Sequence, residues 1–532
     1  MGTERGGEQA VAEGPLLAWI RDPAAARGIH FSTREGGWHH RSYPELAADA
    51  RRAAGRLTEA GVRRGDLVAL VLPSGPAFVA AFFGALLAGA VPAPLAPEAA
   101  GRPVTTGHQE RMAALLTAAR PRLVVGDGLR GARAAGVDTL SGAELLAPGP
   151  EGPAPGEVEH DRTALVQFTS GSTGPARGVR VGWDGLCDNL AVIRDWLGVT
   201  SQSVWASWLP VHHDMGLVGC LLGPVVAGND LWLMRPEDFV RRPLEHLRCF
   251  GERGASITAT PAFGLDHILR KVSPGQLTGL DLGHVTSMVV GAERMAPSLL
   301  DRFAALLAPH GFDRGALLPA YGLAEATLAV TGVRRGTGWR HRGPVVGCGT
   351  PLPGTAVRVV DEEGRPVPDG TLGEIIVRGP SLGLGHLGDE GAGSRFTDGE
   401  LRTGDAGFLH SGELYVQGRL GDSVKVRGTR VFAEDLEQSL REAGVLPRGS
   451  AVVLGDDAAG PVAVAVIEAD GGRRDTAADD RVARLLARGA TGARTVVHLV
   501  PRGSIPWTSS GKPRRRSLWR AYCAAPPDPT RT

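Results

Sequence analysis

Apolar positions recur with two alternating spacings through most of the chain. A helical spacing over residues 43–60 is followed by a short apolar run at residues 68–72, which predicts a helix and then a buried strand. A second helix is predicted over residues 77–87, and the alternation continues through residues 112–125 and 186–307. Strands that alternate with helices usually pair in parallel, because each crossover helix covers one face of the sheet. The pattern therefore predicts an α/β fold with a largely parallel sheet.

The pattern changes near residue 347. Short strand-like runs joined by Gly, Pro and Asp turns predict a small β subdomain over residues 347–418. The remaining stretch, about 110 residues, has its own strand and helix patterns and is long enough for a domain. We therefore predict a large N-terminal domain, residues 1–419, which combines layered α/β subdomains with the β subdomain. A small α+β C-terminal domain is predicted over residues 420–532.

Composition and charge narrow the class of protein. The 532 residues are 42% hydrophobic and 22% charged, which is typical of a globular enzyme with two or more domains. A net charge of +1 argues against a nucleic-acid partner or a charged membrane surface. The apolar segment 77–91 is short for a bilayer span, and the N-terminus shows no apolar signal core. The five cysteines form no CxxC pair, so we expect a cytoplasmic protein without a disulfide framework or a structural zinc site.

The most distinctive polar stretch is Gln167-Phe-Thr-Ser-Gly-Ser-Thr-Gly-Pro-Ala-Arg-Gly178, which follows an apolar run. Its glycines let backbone N–H groups face an anion, its hydroxyl groups add donors, and its arginine adds a fixed positive charge. We interpret it as a phosphate-binding loop rather than a flexible Ser/Gly linker, because strand-like segments flank it on both sides. The candidate phosphate ligands are Thr169, Ser170, Gly171, Ser172, Thr173, Gly174 and Arg177.

Two further segments combine groups that suit a nucleotide. Tyr321 offers a flat face for adenine, and Glu325 offers an oxygen ligand for Mg²⁺. The alternative for this segment is an ordinary helix start with a glutamate in its first turn. Asp405 can accept hydrogen bonds from ribose hydroxyl groups, and Arg419 can donate to them. Both segments are therefore candidates for nucleotide binding.

Three more polar segments have roles that the residues alone leave open. Gly291-Ala-Glu293 follows a predicted strand, and open α/β sheets bind ligands at that end of their strands. His212-His213-Asp214 is compatible with a polar turn, and it lacks a third metal ligand at helical spacing. Lys512 lies in the basic segment 506–516 and is one of only three lysines among the 58 Lys and Arg residues. A basic surface loop is the alternative there, whereas a compact ammonium fits between two oxyanions.

In the same order along the chain, these segments resemble the motifs of the acyl-adenylate-forming superfamily of acyl-CoA synthetases, adenylation domains and luciferases. Trp208-Leu-Pro-Val-His-His-Asp-Met-Gly-Leu217 and Tyr321-Gly-Leu-Ala-Glu-Ala-Thr-Leu328 are most similar to the fatty acyl-AMP ligase branch. The resemblance implies ATP-dependent conversion of a hydrophobic carboxylic acid to acyl-AMP, with release of pyrophosphate. Transfer to the phosphopantetheine thiol of CoA or of a separate acyl carrier protein would follow.

The resemblance also implies roles for single residues. Lys512, on a mobile C-terminal domain, would hold the carboxylate and the α-phosphate as they react. His213 would stand between the acyl pocket and the nucleotide, and Glu325 would bind Mg²⁺ with Thr169. The adenine would pack against Gly291, Ala292, Glu293, Tyr321 and Gly322.

Departures from the family leave two questions open. Fatty acyl-AMP ligases usually carry an insertion associated with refusing CoA, and only residues 331–347 lie at that place here. Both CoA and a carrier protein are therefore kept as acceptors. Gly421 takes a hinge position that usually bears Asp or Lys, and Arg177 replaces the usual Lys. The alternative functions are an enzyme that only transfers a preformed acyl-AMP to a thiol, and a nucleotide-binding protein without catalysis.

Overall fold

The computed structural model describes residues 14–524 except for short gaps, and the fold below refers to these residues. The gaps are residues 98–105, 128–131, 133–134, 157–159, 170–176, 389–395, 448, 458–459, 470–475 and 509–510. Most of the predicted phosphate-binding loop, including Ser170, Gly171, Ser172, Thr173 and Gly174, lies outside the described residues.

The first 351 residues contain most of the strands. In chain order they are β1 (Gly28–Ser32), β2 (Trp38–Ser42), β3 (Leu67–Val71), β4 (Val91–Pro94), β5 (Leu123–Gly126), β6 (Thr139–Leu140), β7 (Thr163–Phe168), β8 (Gly178–Gly182), β9 (Val204–Ser207), β10 (Asp230–Leu233), β11 (Ile257–Pro261), β12 (Ser287–Gly291), β13 (Leu317–Gly322), β14 (Ala329–Gly332), β15 (His341–Arg342), β16 (Val345–Val346) and β17 (Thr350–Pro351).

Helices alternate with these strands. They are α1 (Gly14–Arg21), α2 (Tyr43–Glu59), α3 (Pro76–Leu87), α4 (Thr106–Ala119), α5 (Gly142–Leu146), α6 (Trp183–Leu197), α7 (Gly223–Val226), α8 (Pro236–Arg241), α9 (Pro243–Arg253), α10 (Ala262–Lys271) and α11 (Pro297–Leu307). A π-helix, Met215–Leu222, runs directly into α7.

The largest sheet confirms the predicted parallel arrangement. Within the described residues it has nine strands, in the order β17-β14-β13-β12-β11-β9-β10-β1-β2. The six strands from β13 to β1 are parallel, and antiparallel strands occupy both edges. Buried apolar strands, such as β12 with its five buried residues, fit a sheet that helices cover.

The predicted β-α-β unit near the N-terminus is also present. β3 and β4 pair in parallel and α3 connects them, within a second sheet of order β4-β3-β5-β6. From Phe78 to Leu87 each residue of α3 is buried, which confirms a core helix. Gly84 lets α2 approach closely, because a side chain there would meet Ala53 Cβ at 2.6 Å. Within the described residues, every helix is too short or too polar to cross a bilayer.

An antiparallel β region follows β17. Its strands are β18 (Ala356–Val360), β19 (Gly373–Arg378), β20 (Phe396–Thr397), β21 (Glu400–His410) and β22 (Glu413–Arg419). Its core is shared with the end of β13, because Ile375, Val377 and Leu401 cluster with Tyr321 and Leu323. The β region is therefore packed directly against the strand that carries a candidate nucleotide-binding residue.

The last segment has apolar clusters of its own. After a short turn, Leu420–Asp422, its elements are β23 (Ser423–Val426), β24 (Thr429–Phe432), α12 (Ala433–Glu442), β25 (Ser450–Asp457), β26 (Gly460–Glu468), α13 (Thr476–Gly489), β27 (Arg494–Val500) and α14 (Arg515–Ala524). One cluster includes Leu436, Val452 and Leu486, and another includes Val464 and Leu518. The domain boundary between residues 419 and 420 stays a prediction.

The helix start that the sequence offered as an alternative is present only as a short 3₁₀ helix, with Glu325 in its first turn. Tyr321 lies before it, in β13, which pairs with both β12 and β14. After β13 the chain makes only a short 3₁₀ turn, Ala324–Ala326. The apolar spacing of this segment does not distinguish a short helix from a buried strand end.

Candidate active site

Two neighbouring parallel strands bring the first candidate segments together. β12 ends at Gly291 and β13 ends at Gly322, and Val290 pairs with Pro319 between them. Because parallel strands end at the same edge of a sheet, the segments that follow them share that edge. A side chain at Gly291 would lie 3.2 Å from the backbone oxygen of Ala320, so a larger residue would crowd the neighbouring strand.

The loop after β12 has a constrained backbone. Ala292 has a φ of 66°, a left-handed conformation that side-chain-bearing residues rarely adopt. A carboxylate oxygen of Glu293 accepts a hydrogen bond from the backbone N–H of Phe263 at 2.6 Å, which fixes the loop to α10. Burial raises the pKa of Glu293, and Lys512 acts in the opposite direction. Glu293 therefore supports the loop, and its predicted contact with adenine stays a prediction.

A second cluster joins β13 to the β region. The Tyr321 hydroxyl donates to Asp405 Oδ2 at 2.8 Å, and Arg419 Nε lies 3.2 Å from Asp405 Oδ1. Asp405 and Arg419 are paired directly across β21 and β22, and the hydroxyl of Thr403 accepts from the Asp405 N–H at 3.0 Å. Burial and the neighbouring carboxylate raise the pKa of Tyr321, and Asp405 raises the pKa of Arg419. This strand-end cluster, Tyr321, Asp405 and Arg419, is thus charged and fixed by strand pairing.

Lys512 reaches this edge from the C-terminal segment. Its backbone forms a turn with Thr508, through hydrogen bonds of 2.8 and 2.9 Å, and its Nζ donates to the carbonyl of Ala292 at 2.5 Å. Burial lowers the pKa of the Lys512 ammonium, and the nearby Arg419 lowers it further. Three carboxylates act in the opposite direction, those of Glu293, Asp405 and Asp214. The ammonium therefore lies within the field of both candidate nucleotide segments.

The His212-His213-Asp214 segment lies beside the strand that precedes the predicted phosphate loop. Gln167 Nε2, on β7, donates to the carbonyl of His212 at 2.8 Å. The rings of His212 and His213 are 4.5 Å apart, and burial followed by His213 holds the pKa of His212 well below its usual value. Asp214 accepts from the Met215 N–H at 2.8 Å at the start of the π-helix. Burial therefore disfavours the charged form of His212, and the segment offers one carboxylate toward Lys512.

The sequence pattern of one protein family fits this arrangement of segments. The pattern of AMP-binding enzymes matches residues 21–387, which is more than half of the chain. The chain belongs to the AMP-binding enzyme family. The predicted resemblance and the prediction of an enzyme are therefore confirmed.

Known proteins resemble this AMP-binding enzyme over most of its length. The long-chain-fatty-acid–AMP ligase FadD26 of Mycobacterium marinum is 31% identical over 544 residues, which cover 90% of this chain and 91% of that protein. A 4-hydroxyphenylalkanoate adenylyltransferase of the same species is 32% identical over 522 residues, covering 86% and 82%. A solved chain, from studies of fatty acyl-adenylate ligases of E. coli and L. pneumophila, has a TM-score of 0.84 at 29% identity, covering 96% of this chain and 97% of that one. These similarities confirm the predicted fold class and an acyl-adenylate-forming enzyme.

The remaining predicted residues of the AMP-binding enzyme lie in two separate segments, the turn after β13 and the ends of β7 and β8. Glu325 lies on the turn after β13, where its backbone oxygen accepts from the Gly383 N–H at 2.9 Å. Thr169 and Arg177 flank the undescribed loop, and the Thr169 N–H donates to the Arg177 carbonyl at 2.9 Å. Thr169 directly follows β7 and Arg177 directly precedes β8, and these two strands form an antiparallel pair. The predicted loop thus joins two paired strands, but its phosphate ligands stay a prediction.

Sequence reasoning missed several polar contacts of the AMP-binding enzyme. It gave Asp214 no role, although this carboxylate lies in the field of Lys512. It also passed over Arg294, which follows Glu293 and contacts Asp435 of α12. The position of Asp214 beside two histidines was a usable signal. Nothing in the sequence indicates that residues 294 and 435 meet, because they belong to segments packed only in the folded chain.

Proposed function

We propose that this enzyme uses ATP to activate a hydrophobic carboxylic acid as acyl-AMP and then passes the acyl group to a phosphopantetheine thiol. In the first step an oxygen of the carboxylate bonds to the α-phosphorus of ATP, and the bond from that phosphorus to pyrophosphate breaks. In the second step the thiol sulfur bonds to the acyl carbon, and the bond from that carbon to AMP breaks, so AMP leaves. The observation that carries the proposal is the placement of the Lys512 ammonium against the loop after β12, within the field of Asp405 and Arg419. An ammonium at that position suits two anionic reactants that must approach each other.

The residues divide the work between nucleotide and acid. Asp405 accepts from the ribose hydroxyl groups and Arg419 donates to them, while Tyr321 packs against the adenine. Lys512 stabilises the charge that develops between the carboxylate and the α-phosphate, since such reactions depend on positioning and electrostatics. His213 separates the acyl chain from the nucleotide. The loop over residues 169–178 holds the remaining phosphates.

Glu325 is suited to hold Mg²⁺ with Thr169. Magnesium prefers oxygen ligands, and within the described part of the chain no hydrogen bond or ion pair engages the Glu325 carboxylate. Among the residues that the structure describes, the Thr169 hydroxyl makes only a long contact of 3.4 Å, to the Arg177 carbonyl. The donor set therefore fits the ion. When bound, Mg²⁺ neutralises charge on the triphosphate.

Similar proteins suggest two classes of acid. One relative is named for long-chain fatty acids and another for 4-hydroxyphenylalkanoates, and both are hydrophobic chains that end in a carboxylate. The test incubates the enzyme with ATP, Mg²⁺ and acids of both classes, measures pyrophosphate release, and identifies the adenylate by mass spectrometry. We expect one class to give an adenylate whose mass equals the acid plus AMP less water. If no acid of either class led to pyrophosphate release, the proposal would be contradicted.

The acceptor is tested separately. The hairpin of β15 and β16 occupies much of the short segment where an insertion would lie, so the chain offers no long element there that would exclude CoA. The isolated acyl-AMP is mixed with enzyme and either CoA or a carrier protein that bears phosphopantetheine. Thioester formation with one of the two identifies the acceptor, and formation with neither contradicts the second step.

A further inference from the structure

The loop after β12 contacts the C-terminal segment at a second point besides Lys512. The Arg294 guanidinium, with only 10% of its side chain exposed, contacts Asp435 Oδ1 through Nη1. The same Nη1 donates to the carbonyl of Gln417 at 3.1 Å, and Gln417 Nε2 donates to Asp435 Oδ2 at 2.7 Å. Gln417 lies at the end of β22, just before the turn Leu420–Asp422, and Asp435 lies in the first turn of α12. Three segments therefore meet at one ion pair.

The helix that carries Asp435 is joined to the Lys512 turn. Arg515, three residues after Lys512, donates to Glu434 Oε1 at 3.0 Å and to Glu437 Oε1 at 2.9 Å. Both glutamates lie on α12, on either side of Asp435. Since α12 and the Lys512 turn are held to each other, a contact that fixes Asp435 also restrains Lys512.

We propose that Arg294 is a positioning residue, whose pairing with Asp435 favours the arrangement in which Lys512 lies against the nucleotide loop. This inference rests on the proposed function, because it assigns the pair to the acid-activation step. Ala292 accepts from Lys512, and Arg294 is two residues further along the same loop. Withdrawal of Lys512 by rotation of the C-terminal domain would break both contacts. The pair therefore supports acid activation and opposes the arrangement that follows it.

The shielding of the pair makes it stronger than a surface contact. Nε and Nη2 of Arg294 are buried and have no hydrogen-bond partner among the described residues, so loss of Asp435 would leave a poorly solvated charge. Asp435 is 30% exposed, which limits the effect. Glu362 provides the comparison, because it pairs with Lys425 and Arg430 but is 63% exposed. Solvent and salt screen such a pair, and we expect it to contribute little.

The experiment measures the two half-reactions in Asp435→Asn, with Glu362→Gln as the matched control. Acid activation is followed by pyrophosphate release, and transfer by thioester formation from isolated acyl-AMP. We expect Asp435→Asn to lower the kcat of activation about tenfold with little change in KM for ATP, and to leave transfer equal or faster. We expect Glu362→Gln to stay within about twofold of the unsubstituted enzyme, and Asp435→Glu to recover most of the activation rate.

Equal losses in both half-reactions, or equal effects of Asp435→Asn and Glu362→Gln, would overturn the proposal. Thermal melting of each variant shows whether a lower rate comes from lower stability of the fold or from a changed position of the C-terminal domain. A second readout needs no catalysis: cysteines introduced by Ala292→Cys and Lys512→Cys, in a Cys523→Ser background, are cross-linked with a bifunctional thiol reagent that spans the length of a lysine side chain. Asp435→Asn should slow this cross-link about tenfold, and an unchanged rate would refute the positioning role even if no acid were activated.

Discussion

The strand-end cluster and the Lys512 turn lie at one site, but they are built in different ways. Tyr321, Asp405 and Arg419 belong to paired strands and contact one another through side chains at 2.8 and 3.2 Å. Lys512 lies on a turn of the C-terminal segment, and within the described part of the chain its ammonium donates to a single backbone carbonyl. Strand pairing fixes the first group whether or not the C-terminal segment is in place. The position of the second depends on contacts made elsewhere.

The pKa shifts of Arg419 and Lys512 differ in the same way as the construction of the two groups. The neighbouring carboxylate raises the pKa of Arg419, which stabilises the charged form. Burial lowers the pKa of Lys512 despite three nearby carboxylates, so its charged form is less favourable there than in water. The fixed cluster thus stabilises itself, whereas the lysine is inserted against a desolvation cost. Because its charged form is better solvated in water, such a lysine loses little free energy when it leaves the site.

The largest effect is expected from removal of the inserted charge. Lys512→Ala should lower the rate of pyrophosphate release about 10²- to 10³-fold, because it removes the donor that stabilises the reacting oxyanions. Thioester formation from isolated acyl-AMP should be nearly unchanged, because the proposed rotation of the C-terminal domain withdraws Lys512 before that step. Both rates are measured on the same preparation.

Lys425→Ala is the matched control for Lys512→Ala. Lys425 is one of the three lysines, lies in the same C-terminal segment and pairs with the exposed Glu362, so both of its rates should stay close to those of the parent enzyme. Loss of transfer but not of activation in Lys512→Ala would reverse the assignment. An equal loss in the two lysine variants would point to damage of the C-terminal fold.

The fixed cluster gives the next largest effect. Asp405→Asn removes the carboxylate that accepts from Tyr321 and faces Arg419, so we expect KM for ATP to rise about 10- to 100-fold. Both half-reactions should suffer, because both need the bound nucleotide portion. Steady-state kinetics with varied ATP, together with the affinity for acyl-AMP, provide the measurement. A loss confined to activation would place Asp405 with Lys512 instead.

The sequence was sufficient for the parts of the molecule that follow local rules. The spacing of apolar residues predicted the parallel sheet, and the buried pattern of residues 77–87 predicted a core helix, because both depend on neighbours along the chain. The end of β13 was harder. This segment forms a strand because it pairs with β12 and β14, and a local pattern of apolar residues does not predict that pairing.

The same limit applies to the candidate site: residues could be chosen from local motifs, but contacts between distant segments could not. Single residues with distinctive chemistry, such as Lys512 and Asp405, could be chosen as candidates from their motifs, and their roles stay predictions. The contacts that position them were not, because Arg294 and Asp435 come from distant segments and neither stands in a distinctive pattern. The use of Glu293 to hold the Phe263 N–H was also hidden, since it depends on how α10 packs.

A smaller effect tests how firmly the fixed side is built. A side chain at Gly322 would lie 1.9 Å from the carbonyl oxygen of Leu328, so Gly322→Ala must displace the strand end that carries Tyr321. We expect a loss of about 2 kcal/mol in the free energy of unfolding, together with weaker ATP binding. Gly275→Ala is the control, because nothing lies within 4 Å of that position. Equal melting temperatures of the two variants would show that the strand end yields easily.

The smallest expected effect is on the pH dependence of stability, through Glu434 on α12 of the C-terminal segment that carries Lys512. Burial raises the pKa of Glu434 from 4.5 to about 7, although Arg515 opposes the shift and Asp422 and Glu437 add to it. The folded state therefore binds this proton more tightly than the unfolded state, and the free energy of unfolding falls as the pH rises from about 4.5 to about 7. Glu434→Gln should reduce that fall by about 1 kcal/mol, as measured by denaturant unfolding at both ends of the range. Glu442→Gln, at an exposed position of the same helix, should keep the parent pH dependence. If both variants keep it, another group must cause the pH dependence, and Glu434 would be ionised in its contact with Arg515 throughout the range.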